Sequence, residues 1–521
     1  LDTLVITPDA ALTPGKTYTY TVPAETVKNA NGVANRASSY TFTVQQALEG
    51  NSAESSMKYW VNDFAQKTTT NKSYVKEADQ KLVIGNGLVE RTFDLSQNFL
   101  TVSYKNLYTG IEAVDDRHLQ ADVRMALCDD FYDEDDSHDQ IFYVGGTDST
   151  VPTFQYVKYT VENKTEEIFH WEYNEAISPS FMKDAEWPAA GKAIVVNYKA
   201  PENSGIYVGV TVQVRYEIYD AIPVICKRVT VKNTGTADVV VHHLTSEVIP
   251  MPVSLEDAIY MEGAMNMDGS YNHDRNNGRL YYTKWLVDGD SAMLMSRYTQ
   301  GFNAEAAEYG PAYRIKQNES FEAYRVYELF HSNSYYEWKM MEIRAMYQIL
   351  FPQVLDAPLI YHLISSDSNT VKRGIDEAAN AGFNMVLLSF GSGANVEDVS
   401  AGNIAKYQEL VNYAKGKGIM LGAYIMQVAR AGDYQGGWGN MRCMQAPAAQ
   451  TTQTNNLSFI DQTGLSGMEV DGIYPGTKCT AADLTRHHHE GREDSIVKQW
   501  EYGVKGYYGE LRERNVYINS P

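Results

Sequence analysis

Residues 467–476 read GMEVDGIYPG, and two carboxylates stand two positions apart within them, Glu469 and Asp471. On a strand that spacing puts both side chains on one side of the sheet. The run around them is apolar, as in a strand buried on both faces, and such a strand normally excludes carboxylates because burying an unpaired charge is costly. A carboxylate kept there is a candidate nucleophile or proton-transfer group. The alternatives are a buried ion pair, or Asp471 starting a turn with Gly472. Other polar groups fall at the ends of neighbouring apolar segments: Asp367, Ser389, Tyr424 and Gln427. Asp367 also precedes a helical pattern and fits a helix cap equally well.

Two further runs invite a metal reading. TRHHHEGRED carries His487, His488, His489 and Glu490. Adjacent residues point in different directions, whereas zinc sites use spacings such as HExxH, so a polar loop is the better reading. DDFYDEDDSHD places Asp133, Asp135, Ser137 and Asp139 at alternate positions, like a calcium loop. It has His138 and Val144 where that loop needs Gly and Glu, which favours a solvated acidic loop. The four cysteines, Cys128, Cys226, Cys443 and Cys479, are too few and scattered for a disulfide framework, and none forms a CxxC pair. No metal or cofactor is expected.

These groups must be positioned by elements that the periodicity reveals. Residues 1–46 alternate with period two (Thr17, Thr19 and Thr21 against Tyr18, Tyr20 and Val22), with turns at Pro14-Gly15 and Asn31-Gly32. Residues 47–56 lose the alternation and read as a linker. From 57 to 345 strands dominate, among them 81–84, 99–104, 207–219 and 224–231, and nearly 300 such residues require a large antiparallel β-sandwich. From 346 to 521 the pattern becomes strand–helix–strand. Strands are expected at 359–365, 385–390, 419–426, 467–471 and 516–519, and helices at 370–381, 404–417 and 493–514. Strict alternation means a (β/α)₈ barrel or a doubly wound sheet. No glycine-rich phosphate loop follows the first strand, which argues against a nucleotide enzyme. The expected fold class is therefore multidomain β plus α/β: a partial Ig-like β-sandwich, a large antiparallel β-sandwich, then a truncated TIM barrel with five of its eight strands.

The chain has 521 residues, enough for three or four domains. Its net charge of −22 makes it a poor partner for a phosphate backbone, so no nucleic acid is expected. No apolar run approaches ~18 residues, so no membrane-spanning segment is expected. Leu1 stands in a strand-like segment without an initiator Met, and residues 516–521 read as another strand. Both ends read as cut, and the expectation is a fragment of a longer secreted or cell-surface bacterial polypeptide.

The segment LTPGKTYTYTVPAETVKNANGVAN, from Leu12, with the closing YTFTV, resembles the bacterial immunoglobulin-like modules of surface proteins, where it implies a spacer. A sandwich followed by a barrel resembles the α-galactosidase (melibiase) clan of retaining α-glycosidases. LVIGNGLVERTFDLSQNFLTVSYKNLYTG is similar to the opening of that clan's sandwich domain, LVNYAKGKGIMLGAYI to its shared helix and third strand, and GMEVDGIYPG to its fourth strand. The resemblance implies that Asp471 is the nucleophile and that the acid/base follows strand six, beyond Pro521. On that expectation the fragment neither closes its barrel nor turns over well. Glu469 stands where the family usually has Lys. Asp367 is implied as a ligand of sugar hydroxyls and Cys479 as substrate-facing; Tyr424 and Trp438, aromatic groups near the strand ends, fit either stacking on a sugar face or packing. The partner implied is an oligosaccharide or glycan ending in α-galactosyl or α-N-acetylgalactosaminyl residues. The competing reading is a non-catalytic carbohydrate-binding surface protein on the same scaffold.

Overall fold

The computed structural model describes residues 8, 16–28, 34–43, 71–119, 121–130, 136–183, 185–255, 257–263, 282–286, 291–297, 311–427, 434–436, 439–441, 444, 446–471 and 499–520. The chain divides into two compact units, residues 1–55 and 56–521. In the first, β1 (Thr17–Val22) pairs antiparallel with β2 (Ser38–Thr43), as the alternation predicts. Tyr20 stacks on its register partner Tyr40, ring centroids 5.2 Å apart.

The second unit opens with a four-stranded antiparallel meander: β3 (Tyr74–Ala78), β4 (Lys81–Gly85), β5 (Val89–Asp94) and β6 (Leu100–Asn106). It lies against a large curled sheet that includes β7 (Val123–Cys128), β8 (Gln140–Val144), β9 (Thr153–Glu162), β10 (Gly191–Lys199), β11 (Val210–Tyr219), β12 (Val224–Asn233), β13 (Val239–Pro252), β14 (Ile259–Gly263), β15 (Tyr282–Leu286), β16 (Ser291–Arg297), β17 (Tyr313–Ile315), β18 (Ser320–Glu322) and β19 (Val326–Phe330). The strands run β14-β19-β12-β11-β10-β9-β8-β7-β13-β16-β15, with β17 on β13 and β18 on β12. All pairs are antiparallel except β8 with β9. Inward residues of both sheets, among them Leu82, Phe93, Val196, Val212 and Phe330, merge into one core. That is how alternating strands hide their apolar faces.

A buried ionic cluster crosses this core. Arg91 on β5 reaches Glu247 on β13 through both terminal nitrogens, at 3.0 and 3.1 Å, and Glu328 on β19 at 3.1 Å. Lys227 on β12 donates to Glu247 at 3.0 Å and to the Asp122 carbonyl at 2.7 Å. Burial alone would raise the Glu247 carboxyl, but Arg91 and Lys227 hold it well below its ordinary range. Glu328 goes the other way: burial first, then the neighbouring Glu247 charge, keep it protonated, and it donates to Glu247. Because its folded value lies above the ordinary ~4.3, the stability it contributes is complete below that pH and is lost as pH rises toward the folded value. Glu328→Gln keeps a donor for Glu247 and removes the titration. It is therefore expected to raise the melting temperature at pH 8 and leave it unchanged near pH 4, in calorimetric scans across that range.

Beyond this core come α1 (Tyr336–Leu350) and a parallel sheet of five strands: β20 (Ile360–Leu363), β21 (Met385–Leu388), β22 (Met420–Met426), β25 (Gly467–Asp471) and β26 (Tyr517–Asn519). A short hairpin, β23 (Tyr434–Gly436) with β24 (Gly439–Met441), follows β22. The five strands lie in chain order, each hydrogen-bonded to the next. Between them run α2 (Ser368–Ala381), α3 (Ala401–Gly416) and α4 (Pro447–Thr463), and before β26 a wide-turned helix over Gln499–Tyr508 that tightens into α5 (Gly509–Glu513). The sequence predicts one regular helix over 493–514; the described part begins at 499 and is π-helical for its first ten residues. The sequence pattern does not predict the helix over 447–463. Its buried face mixes Ala449, Phe459 and Ile460 with Thr452, Asn456 and Thr463, so hydrophobic periodicity is faint.

The helices pack on one face of the parallel sheet. Val386, Leu388, Leu421, Ala423, Ile425, Met468 and Val470 join helix residues in a single core. The alternate residues point the other way. There Gly422 and Gly467 are register partners, and a Cβ on them would lie 2.7 Å from Leu387 Cδ1 and 2.8 Å from Met385 Cε. The missing side chains leave room for Leu387 and Met385 to lie across the sheet beneath a polar layer. Among the described residues no helix is long and apolar enough to cross a membrane.

Candidate active site

The polar layer sits at the C-terminal ends of the parallel strands, on the face away from the helices. Register places Tyr424 beside Glu469, and Glu469 beside Asn519. Asp471 closes β25 two residues after Glu469 and shares its side of the sheet. The Tyr424 hydroxyl donates to Asp471 Oδ2 at 2.5 Å, fixing the plane of a half-buried carboxylate. Glu469 is 8% exposed. Its Oε2 accepts from Ser389 Oγ at 3.2 Å, and its Oε1 from Asn519 Nδ2 at 3.4 Å. Among the described residues this buried carboxylate is held by two neutral donors, with no cation paired to it. His362 extends the chain of contacts, with Nδ1 2.9 Å from Ser389 Oγ. Since Ser389 gives its proton to Glu469, His362 is placed to donate in turn.

An aromatic edge flanks these groups. Phe390 is 66% exposed, and its ring meets Tyr424 at 5.3 Å between centroids and 65° between planes. An exposed phenylalanine beside hydrogen-bonding groups suits a ligand with both an apolar face and hydroxyls.

Of the residues expected from the sequence, the structure brings together Tyr424, Glu469 and Asp471, with Ser389 beside them. Asp367 is exposed and caps α2: its Oδ2 accepts from the Thr370 amide at 2.9 Å and the Thr370 hydroxyl at 3.0 Å. Those bonds hold its carboxyl below the ordinary range. Trp438 and Cys479, and the histidines at 487–489, lie outside the described residues. Gln427 is buried, with its backbone N–H bonded to the Asp471 backbone carbonyl at 2.9 Å. The sequence motifs do not point to His362, Phe390 or Asn519. For His362 a signal existed: a histidine alternates with Tyr361 and Leu363 in an otherwise apolar strand.

Residues 2–44 match the family model of a bacterial Ig-like domain. No curated protein matches the chain by sequence. Among solved structures, the chain is similar to the family 36 glycoside hydrolase AgaB, an α-galactosidase from Geobacillus stearothermophilus: 10% identity, TM-score 0.52, covering 86% of this chain and 72% of that one. It is also similar to the galactosidase domain of the α-galactosidase–sucrose kinase AgaSK, at 12% identity and TM-score 0.50, with the same coverage. A family 97 glycoside hydrolase from Pseudoalteromonas sp. strain K8 aligns at 11% identity and TM-score 0.44, over 86% of this chain and 66% of that one. At such identities the likeness is one of fold: β and α/β parts of this chain are arranged as in AgaB and AgaSK.

Proposed function

We propose that this chain carries the nucleophile of a retaining α-glycoside hydrolase acting on terminal α-galactosyl or α-N-acetylgalactosaminyl residues of glycans, outside the cell. The observation that carries the reading is Asp471 at the C-terminal end of the fourth parallel strand, oriented by Tyr424. Five parallel strands in chain order with helices on one face support reading the sheet as part of a (β/α)₈ barrel, whose chemistry sits at that end. A doubly wound sheet would have reversed strand order and covered both faces. The Ig-like match supports an extracellular setting.

In this mechanism the Asp471 carboxylate attacks the anomeric carbon as the bond to the leaving oxygen breaks. An acid protonates that oxygen, and water then cleaves the glycosyl ester with net retention. Glu469 is assigned to substrate hydroxyls rather than to the acid, because both its oxygens already accept hydrogen bonds on the floor of the site. Phe390 and Tyr424 offer an apolar surface to the sugar; Asp367, Trp438 and Cys479 remain further candidates for contact.

The test uses 2,4-dinitrophenyl α-glycosides, whose leaving group needs no protonation, so the first step reports on the nucleophile alone. With the full-length protein, dinitrophenolate release is expected from galacto-configured sugars, with the peptide containing Asp471 gaining one glycosyl residue by mass spectrometry. Release with the label on another carboxylate would overturn the assignment. Sugar binding without release would favour a binding protein.

A further inference from the structure

We propose that Cys128, Asp139 and His242 form a zinc site that clips together three neighbouring strands of the large sheet. Cys128 closes β7, Asp139 directly precedes β8, and His242 lies on β13; the sheet order there is β8-β7-β13. The Cys128 sulfur, an Asp139 carboxylate oxygen and a His242 ring nitrogen all lie within 4.8 Å of one another. Zinc bonds of ~2.0–2.3 Å place tetrahedral donors roughly 3.3–3.8 Å apart. Small side-chain shifts therefore suffice, chiefly opening the 2.8 Å contact between His242 Nδ1 and Asp139 Oδ1.

The backbone contributes to this convergence. The β7–β13 register slips between Val241 and His243, so His242 is the extra residue of a β-bulge. A bulge re-aims side chains that a regular strand would send to opposite faces. As a result the rings of His242 and His243 lie 4.3 Å apart, and His243 Nε2 is 3.7 Å from Asp139 Oδ2, near enough to supply a fourth ligand.

The donor set selects the metal. Sulfur, imidazole and carboxylate together suit zinc, while calcium and magnesium take oxygen shells. Cys128 is fully buried, His242 is 1% exposed and the Asp139 side chain 5% exposed, so the site excludes bulk water. The Asp139 carboxylate beside the thiol favours a divalent cation, and the Cys128 proton leaves to solvent as the S–Zn bond forms. The site lies in the β-sandwich, away from the carboxylates at the parallel strand ends, and does not depend on the glycosidase reading.

Protein stripped with a chelator and titrated with zinc is expected to bind one equivalent through these residues, with a raised melting temperature and an affinity that increases with pH. Cobalt(II) in place of zinc should show thiolate-to-metal charge transfer. Cys128→Ser, nearly isosteric, should lose that band and weaken zinc binding at least about 100-fold, with unchanged circular dichroism. His242→Gln should weaken it similarly. Should the variants fail to fold, X-ray absorption on the zinc form of the unaltered chain decides: one sulfur among the ligands is expected, and a shell of nitrogen and oxygen alone overturns the proposal. Absence of stoichiometric binding overturns it, as does zinc binding undiminished in Cys128→Ser.

Discussion

Replacing Asp471 by Asn is expected to lower kcat/KM for an aryl α-galactoside by a factor on the order of 10⁴–10⁶, the range seen when a nucleophile that acts with its neighbours is removed. The amide has nearly the shape of the carboxylate and can still accept from Tyr424, so folding and sugar binding should survive. The loss should therefore fall on kcat, with KM little changed. Azide added to Asp471→Gly supplies an external nucleophile from the same side and should restore turnover, giving a β-galactosyl azide by single inversion. Glu469→Gln is the useful contrast. Its carboxylate is held by Ser389 and Asn519 rather than aimed by Tyr424, so a weakened KM and discrimination between sugars are expected instead of abolished chemistry. An Asp471→Asn enzyme with activity close to the unaltered protein would remove the nucleophile assignment altogether.

Arg91→Met should be the most damaging single change to the fold. It deletes the cation that bonds both oxygens of Glu247 and both oxygens of Glu328 across the two sheets, and among the described residues leaves the fully buried Glu247 with Lys227 as its remaining cation. Breaking one side of a buried pair costs about 3–5 kcal/mol, because a charge is stranded rather than because the pair was strong. Chemical denaturation at pH 7 would measure it. The pH dependence identifies the cause. Arg91 and Lys227 depress Glu247 below its ordinary range against the effect of burial. That contribution is present above the unfolded value of ~4.3 and is lost as pH falls through the folded one. The gap between Arg91→Met and the unaltered protein should therefore narrow in acid. A gap independent of pH would assign the loss to packing against Tyr216 and Tyr104, which also flank the guanidinium.

The sequence by itself determined many of the local elements and where its strand-end carboxylates fall. Period-two alternation in TYTYTV fixed β1, because a half-buried strand needs one apolar face. Spacing by three and four of Ile404, Tyr407, Leu410, Val411 and Ala414 fixed α3 for the equivalent reason, and β25 fell at 467–471 as its apolar run with two carboxylates predicts. Local chemistry also foresaw that Asp367 could cap a helix. What only the tertiary structure decided is which distant residues meet. The helix over 447–463 is held by burial of threonine and asparagine among neighbours, which no periodicity records. Glu469 gains Ser389 from just past the end of β21 and Asn519 from β26; Arg91 meets Glu247 and Glu328 more than 150 residues away. A slip in the β13 ladder turns His242 toward Asp139 and Cys128. Periodicity reports the faces a segment must bury; partners across a sheet depend on strand order and register, which are fixed only when the sheets assemble.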